Sequence, residues 1–539
     1  MGAVPETYYE FLVHYAPYFY VIPTELAEDA SAGQKNVTVA DGSKFQVGYP
    51  VEVKDDAYAE WNRVSAVNGN VLTMENNLQH TYHVNRNGGV EGPDPGFGRG
   101  AFPAAFAIDF LYEAYSSKQF ESQKADILNK ITELANFILT QQCTDPNRKA
   151  YGGFKNNENG TEHWSIDAGR CIPPLLRAYE LTNDSDCLDA AVLAGATFLY
   201  NMQHEPANLG IHDRYYGGFA QYVRLDDSWS RLMMVEDLYD LIGLEMLCDY
   251  DPSNRSLYEA MMADAVAFLR PGFEQLYLWF DPRPNGDGEW HRVGLGETEV
   301  YDDPISFALL GLYEYEGWGS SCQKVYGFLN SIRASAQYPA YHGAICWPGY
   351  IDVVNRFPTC PYYDAVTSGI LWKIRRNHDK PSYAFSMKLI DKYQSQFMYW
   401  GPKFEDYSPI TPQKAMANVS WLARFFLNYE EPLTRFTQVL RAHGEWIALY
   451  PVVAAGENVS YGEGIDVQAF VSPVRMDEVL LESGYLINDH ITVYTFAPLR
   501  QHDKIRRKGV DYEVLGVQTF DFQGETAYFK ANCRRLISV

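Results

Sequence analysis

The sequence is short of cysteine and of the glycine-rich motifs that hold phosphates. Eight of its 539 residues are cysteine. None forms a Cys-x-x-Cys pair, and no Cys/His cluster has zinc-ligand spacing, so we expect neither a disulfide framework nor a zinc site. No Gly-rich segment ends in Gly-Lys-Ser/Thr and no Gly-x-Ser-x-Gly motif occurs, which argues against a phosphate-binding loop and a nucleophile elbow.

Basic residues are also scarce. The chain has 44 Lys and Arg against 69 Asp and Glu, a formal net charge of −25. This negative charge argues against binding to nucleic acid through phosphate contacts and to anionic membranes. No uninterrupted apolar run approaches about 18 residues, so no transmembrane helix is expected. Residues 1–6 lack the basic and apolar regions of a signal peptide, so no secretion signal is expected.

Helical hairpins recur along most of the chain with a period of about 60 residues. In each hairpin a helix that is apolar nearly all round, which predicts an inner helix, is followed by an amphipathic outer helix. The predicted inner helices are 101–115, 165–181, 231–250, 302–315, 362–374 and 412–428. The predicted outer helices are 121–142, 185–203, 256–273, 320–336 and 382–397, with an N-terminal helix over 7–23 as the sixth.

The loops before the inner helices combine glycine with aromatic residues, as in Tyr151-Gly-Gly-Phe, Tyr216-Gly-Gly-Phe and Trp347-Pro-Gly-Tyr. Because such loops precede the inner helices of a regular repeat, the helical part, residues 1–34 and 85–431, resembles the (α/α)6 toroids of glycoside hydrolases, polysaccharide lyases and sugar epimerases. The resemblance implies a ring of six hairpins acting on a poly- or oligosaccharide. It rests on architecture, and no motif singles out one family.

Two segments have the pattern of β-strands instead. Residues 35–84 predict a small inserted β domain with an Asn68-Gly69 hairpin turn. Residues 432–539 predict a C-terminal barrel or sandwich, with strands near Val467, Ile491, Val510 and Thr526. The predicted fold class is therefore mainly α, an (α/α)6 toroid with an inserted and a C-terminal β domain.

The C-terminal runs from His502 to Val517 and from Tyr528 to Leu536 resemble small β-barrel head-tail connector proteins of tailed viruses. The resemblance implies a virion or surface location, with binding to other virion proteins or self-assembly through the β domains. Ordinary accessory β modules of a carbohydrate enzyme are the alternative. A non-catalytic virion protein that uses the toroid as decoration or as a glycan-binding module is thus the alternative function.

Acidic residues in the loops before the inner helices are the candidate catalytic groups. Hydrolysis of a glycosidic bond requires a protonated and an ionised carboxyl group, and close carboxylates push their pKa values apart. Asp227 and Asp303 are the preferred pair, followed by Asp167 and Asp364; Glu236 and Asp237 lie in the same region. Capping of helix N-termini is the structural alternative for these acids.

Aromatic and basic residues in the same loops predict a substrate-binding surface, because rings stack on sugars while their polar groups reach hydroxyls. The candidates are Trp164, Tyr216, Trp229, Arg231, His291, Trp347, Tyr350 and Tyr363; loop packing is the alternative. A lyase would instead use a His or Tyr base with an Arg against a uronate. Residues available for that chemistry include His163, His212, Arg214, Tyr215 and Arg292.

A polar turn suggests one metal site and no other cofactor is predicted. Asp281, Asn285, Asp287 and Glu289 alternate through a glycine-containing turn, and such oxygen ligands suit Ca²⁺. The turn lacks the full twelve-residue calcium-loop pattern, so an ordinary polar turn is the alternative.

Overall fold

The computed structural model describes residues 4–204, 215–283, 286–292, 302–334, 366–367, 369–371, 373–374, 414–427, 445–454, 460–462, 464–473, 490–495, 497–522 and 525–536. The chain divides into two units. Unit 1 comprises Met1–Asp379 and Tyr393–Asn428, and unit 2 comprises Lys380–Lys392 and Tyr429–Val539. Among the described helices, none is both long and apolar enough to cross a membrane.

Helices make up most of the described part of unit 1. They are α1 (Val4–Tyr15), α2 (Ala101–Ser116), α3 (Lys124–Gln141), α4 (Ser165–Thr182), α5 (Ser185–Leu193), α6 (Tyr200–His204), α7 (Asp240–Tyr250), α8 (Arg255–Glu274), α9 (Asp302–Glu316), α10 (Ser320–Ala334) and α11 (Met416–Leu427). A π-helical stretch, Ala194–Leu199, joins α5 to α6, and a 3₁₀ turn, Val235–Tyr239, leads into α7. The helical residues between 366 and 374 are called the 366–374 segment.

Six inner helical segments in this part of the chain form a closed ring. In order they are α2, α4, α7, α9, the 366–374 segment, whose Gly369 lies against Trp421 of α11, and α11, which packs back on α2. Thr367 Oγ1 lies 3.2 Å from Ser306 Oγ, which joins the 366–374 segment to α9. Arg424 Nη2 of α11 lies 2.7 Å from Glu113 Oε1 of α2, which closes the ring. The predicted toroid of helical hairpins is confirmed.

The difference between inner and outer helices follows from their sequences. Inner helix α2 is buried on nearly all sides, whereas α3 buries one stripe that includes Ile127, Ile131, Leu134 and Ile138. A helix with a single apolar stripe leaves its other face in water, so it packs outside the ring. Helix α3 accordingly lies against both α2 and α4, and α8 contacts both α7 and α9.

The centre of the ring is filled with aromatic side chains. Phe106, Phe307 and Trp421 are each no more than 3% exposed, and their ring centroids lie 5.8–6.1 Å apart. Tyr239 packs edge-on against Phe307 at 5.2 Å. We call these four residues the aromatic plug. Because the plug is a packed core, a ligand can meet the ring only at one of its ends.

Two predicted helices are shorter than expected. The N-terminal helix ends at Tyr15 because Pro17 follows and cannot donate the backbone hydrogen bond that would continue it. The helix predicted over 231–250 begins as a strand, which pairs with its neighbour, and turns helical only at Val235. The short strands around this second helix were not predicted, because two to six residues carry little periodicity.

These short strands form a five-stranded antiparallel sheet at the N-terminal end of α4. In spatial order its strands are β11 (Trp290–His291), β10 (Trp279–Phe280), β9 (Trp229–Met234), β8 (Ala220–Arg224) and β7 (Glu162–Trp164). Strand β7 runs directly into α4, and β9 runs directly into the 3₁₀ turn before α7. The sheet therefore joins the starts of two inner helices.

A second sheet of unit 1 contains the predicted insert. Its order is β12 (Lys414–Ala415), β1 (Tyr20–Glu25), β6 (Gly89–Pro93), β3 (Pro50–Lys54), β4 (Ala59–Asn68), β5 (Val71–Met74) and β2 (Asn36–Thr38). Strands β2 to β5 lie within residues 35–84. Their buried side chains, which include Val37, Val53 and Leu72, form one core together with Tyr82. Strands β1, β6 and β12 extend the sheet beyond those bounds.

Unit 2 contains a closed six-stranded barrel. Its order is β13 (Glu445–Tyr450), β16 (Ile465–Pro473), β17 (His490–Thr495), β20 (Glu525–Arg535), β19 (Val510–Phe522) and β18 (Lys504–Arg507), which returns to β13. The strands β14 (Val452–Ala454) and β15 (Ser460–Tyr461) pair separately. Alternate residues such as Ile447, Val493, Ile505 and Ala531 fill the barrel core, as period-two burial requires.

Candidate functional site

Acidic side chains gather where the inner helices begin. Asp167 lies in the first turn of α4, and Glu236 and Asp237 lie in the 3₁₀ turn before α7. Ser165, the first residue of α4, donates to Ala220 O at 2.9 Å and contacts Asp237 Oδ1 at 3.2 Å. These bonds hold the two helix starts side by side at one end of the ring, which we call the mouth.

Arg170 lies in the middle of these acids. Its Nη1 is 3.2 Å from Asp167 Oδ1, and its Nη2 is 3.6 Å from Glu236 Oε2. The guanidinium also lies 4.8–5.8 Å from the ring centroids of Phe102, Phe106 and Phe307, within cation–π range. Arg170 therefore sits on the aromatic plug and forms the floor of the mouth together with its two carboxylate partners.

The two carboxylates that flank Arg170 differ in accessibility. Asp167 is 1% exposed, and it accepts a hydrogen bond from Asn156 Nδ2 at 3.0 Å. The side chain of Glu236 is 13% exposed. Burial raises the pKa of both groups above the ordinary value, and the charge of Arg170 offsets part of the shift. Glu236 is thus a carboxyl group with a raised pKa that solvent can still reach.

Behind them lie two more deeply buried carboxyls, Asp237 and Asp240. Within the described part of the chain, neither oxygen of Asp240 and only one oxygen of Asp237 has a hydrogen-bond partner. Burial, then the neighbouring carboxylate, raises the pKa of each well above the ordinary value, which favours the protonated form of both groups. A Cβ at Gly169 would lie 1.8 Å from Asp240 Oδ1, so only glycine fits there.

An aromatic pair stands beside the mouth on the five-stranded sheet. Trp164 and Tyr222 are half-buried, with ring centroids 4.9 Å apart. Glu162 accepts from Trp164 Nε1 at 3.2 Å, and Arg224 Nη2 donates to Glu162 at 2.8 Å and to the Tyr222 hydroxyl at 2.9 Å. Flat rings bordered by charged groups form the amphipathic surface that a sugar ring requires.

Of the preferred catalytic pair, Asp227 lies away from the mouth, and Asp303 is described only in its backbone. Asp227 is in the turn between β8 and β9 with a φ of 62°, and its Oδ1 accepts from Lys149 N at 2.9 Å. That turn is about 13 Å along β8 from Ala220, at the end away from Ser165. Asp303 lies in the first turn of α9, where only the backbone is described. Asp364 lies outside the described residues.

The predicted substrate-binding residues that the structure describes are spread along or near the five-stranded sheet. Trp164 is at the mouth. Tyr216 packs on Phe268 and Phe280, and Trp229 lies 5.3 Å from Lys149 Nζ. Arg231 is on β9, and His291 on β11 contacts Asp287 at 2.9 Å. Trp347, Tyr350 and Tyr363 lie outside the described residues.

The groups considered for lyase chemistry are engaged or shielded where they are described. His163 is 1% exposed, and burial lowers its pKa to about 4. Tyr215 donates its hydroxyl to Asp264 at 2.9 Å, and Arg292 donates to Gln275 O at 2.6 Å. His212 and Arg214 lie outside the described residues.

Two of the proposed calcium ligands, Asp281 and Asp287, have protein partners. Asp281 receives two hydrogen bonds from the Arg283 guanidinium, at 2.7 and 2.6 Å, and Asp287 is held by His291 and by the backbone N–H of Glu289. Asn285 lies outside the described residues. Within the described ranges, no three His, Cys, Asp or Glu side chains group in a way that could hold a metal ion. The Arg283 guanidinium already supplies the positive charge beside Asp281.

Sequence analysis identified Asp167 and Glu236 but missed Arg170, which joins them. The available signal was its position three residues after Asp167 on one helix, because residues at this spacing share a helix face. The link to Glu236 spans 66 positions of sequence, and periodicity carries no information about such a contact.

No protein-family model matches this chain, and no curated protein matches it in sequence. Among solved structures it is similar to an unsaturated glucuronyl hydrolase specific for heparin, with a TM-score of 0.41 and 11% identity over 74% of this chain and 94% of that one. It is similar to a D-mannose isomerase, with a TM-score of 0.43 and 10% identity over 62% and 92%. A family 76 α-mannanase of Bacteroides thetaiotaomicron gives 0.41 and 12% over 64% and 88%. At these values, the assignment of the fold rests on the helix contacts described above.

Proposed function

We propose that unit 1 is a carbohydrate-processing toroid that hydrolyses glycosidic bonds at the mouth. The observation that carries this proposal is the position of Glu236. It is a partly exposed carboxyl group with a raised pKa, next to the Arg170 guanidinium. Glu236 precedes Asp237, whose carboxylate contacts Ser165 at the start of α4. Trp164 of the Trp164–Tyr222 pair is the residue directly before Ser165. An acid beside an amphipathic aromatic surface is what cleavage of a sugar chain requires.

In this proposal Glu236 is the general acid. A raised pKa favours the protonated form, which can give its proton to the glycosidic oxygen as the bond to the anomeric carbon breaks. Asp303 is the proposed ionised partner, which activates a water or attacks the anomeric carbon. It lies in the first turn of α9, and α9 packs on the 3₁₀ turn that carries Glu236. Asp167 is a positioning residue, because it acts by holding Arg170.

The catalytic proposal predicts that Glu236→Gln lowers kcat by about 100-fold or more, the usual contribution of a general acid. The measurement is the release of reducing ends from a panel of plant, algal and bacterial polysaccharides. The matched control is Glu245→Gln, because Glu245 is exposed on α7 and the change removes the same charge. Asp303→Asn should lower kcat similarly, and Asp227→Asn tests the alternative site at the β8–β9 turn.

The pH profile gives a second readout. A general acid works only when protonated, so the rate of the native enzyme should fall as the pH rises through the pKa of Glu236, and Glu236→Gln should lose that decline. Full activity of Glu236→Gln would reject the assignment. Products that carry a new carbon–carbon double bond would instead identify a lyase.

Virion association stays a prediction from the resemblance of the C-terminal strands. Mass spectrometry of purified particles tests it, and absence of the protein from the particles would reject it. An absence of binding and turnover on the whole panel would favour the non-catalytic alternative, in which the toroid is a scaffold.

A further inference from the structure

A second aromatic pair lies on the other side of the loop that holds Asp167. We propose that Phe97 and Tyr20 form an additional sugar-binding subsite, so that the mouth accepts an extended oligosaccharide rather than a single sugar. This inference rests on the proposed function, because it assigns a longer substrate to the same mouth.

The position of Phe97 is set by the loop of residues 156–160. Asn156 holds Asp167, and the next residue, Asn157, donates from Nδ2 to Phe97 O at 2.7 Å. Gly100 and Asn157 form an antiparallel bridge, and Lys155 and His163 form a second bridge on the opposite side. The loop is therefore flanked by the Phe97 segment on one side and by β7, with Trp164, on the other.

The bridges set the spacing of the two backbone segments that lead to the aromatic pairs. Neighbouring extended segments lie about 4.8 Å apart, so two successive bridges separate the backbone at Gly100 from β7 by about 10 Å. Separate sugars of one chain can therefore occupy the two pairs, and both pairs adjoin the loop that carries Asn156.

Phe97 is exposed but held in place. It is 42% exposed, and Tyr20 of β1 packs against it at 4.6 Å with the rings nearly perpendicular. A row of rings then leads inward, because Tyr20 contacts Phe19 at 6.1 Å, and Phe19 contacts Phe102 at 5.1 Å. Phe102 lies 5.3 Å below the Arg170 guanidinium. The exposed ring is thus continuous with the floor of the mouth.

An ion pair that can bind hydroxyls begins two residues after Phe97, at Arg99. Arg99 donates from Nε and Nη2 to Glu158 Oε2 at 2.9 and 2.7 Å, and the two side chains remain 44% and 24% exposed. A flat ring beside a fixed, partly exposed ion pair offers stacking and hydrogen bonds together, which matches the two faces of a sugar. Neutral sugar chains are the class that uses both contacts.

Binding measured without turnover tests the subsite. The probes are manno-, cello- and xylo-oligosaccharides, each as disaccharide and hexasaccharide, titrated into Glu236→Gln protein by calorimetry. Adding Phe97→Ala should weaken binding of the preferred hexasaccharide about tenfold and leave the disaccharide within about twofold. The matched control is Tyr58→Ala. Tyr58 is 46% exposed and stacks on His80, but it follows β3 at the end of β6 opposite the Phe97 loop.

The outcomes separate this inference from the catalytic proposal. Unchanged hexasaccharide binding by Phe97→Ala, with turnover still lost in Glu236→Gln, overturns the subsite alone. Weakened hexasaccharide binding together with full turnover by Glu236→Gln supports the subsite and overturns the catalytic assignment. An equal loss from Tyr58→Ala, or no binding of any probe to the protein, overturns the subsite as well.

Discussion

Replacing Arg424 with methionine is expected to lower the free energy of unfolding of unit 1 by about 3–5 kcal/mol, the cost of breaking a buried ion pair from one side. Arg424 is 7% exposed and joins α11 to α2, the last and first inner helices. It lies 2.7 Å from Glu113 Oε1 and 3.3 Å from Asp109 Oδ2. Burial alone would raise the pKa of Glu113, but Arg424 holds it below the ordinary value. The change leaves two carboxylates, the buried Asp109 and the half-buried Glu113, without this partner.

Denaturant unfolding followed by tryptophan fluorescence measures the effect. Arg148→Met is the matched control, because Arg148 is 46% exposed and its contacts to Asp145 and Asp227 are 3.7 Å long. An exposed pair of this kind contributes about 0–1 kcal/mol. Adding Glu113→Gln to Arg424→Met should restore part of the loss, since it removes one of the two carboxylate charges that Arg424 contacts. A loss no larger than that of Arg148→Met would show that Arg424 does not close the ring.

The second large effect concerns the pH dependence of stability. Asp240 is fully buried with its pKa raised well above the ordinary value. A carboxyl of this kind binds its proton more tightly in the folded state, so its stabilising contribution is complete below the unfolded pKa of about 4 and is lost as pH rises through the folded pKa. The loss amounts to about 1.4 kcal/mol per pH unit for each such group.

The unfolding free energy of the native protein should therefore fall as the pH rises above about 5. In Asp240→Asn this fall should be smaller by about 1.4 kcal/mol per pH unit. The measurement is a series of denaturant titrations across that range. Asp189→Asn provides the control, because Asp189 is exposed on α5 and its charge is solvated in both states. An unaltered slope in Asp240→Asn would mean that Asp240 is ionised in the folded protein.

The candidate site could be predicted only in part from the sequence. Asp167 and Trp164 stand directly before or within an inner helix, so a repeat of hairpins predicts their place at one end of the ring. Arg170 and Phe97 were not found. Arg170 lies within an inner helix whose other residues are largely apolar, and Phe97 lies in a loop with no periodic pattern. Their roles depend on contacts with Glu236 and with the 156–160 loop.

The hairpin repeat and the two β segments could be predicted from the sequence alone, because apolar residues recur with a period of 3.6 in helices and 2 in strands among neighbouring positions. The stripe of α3 and the strands of the C-terminal barrel illustrate this. The aromatic filling of the centre and the link that Arg170 makes between two acids at the mouth depend on how the hairpins pack together. Such contacts join residues from separate hairpins, and their energies depend on burial and distance, which local periodicity does not encode.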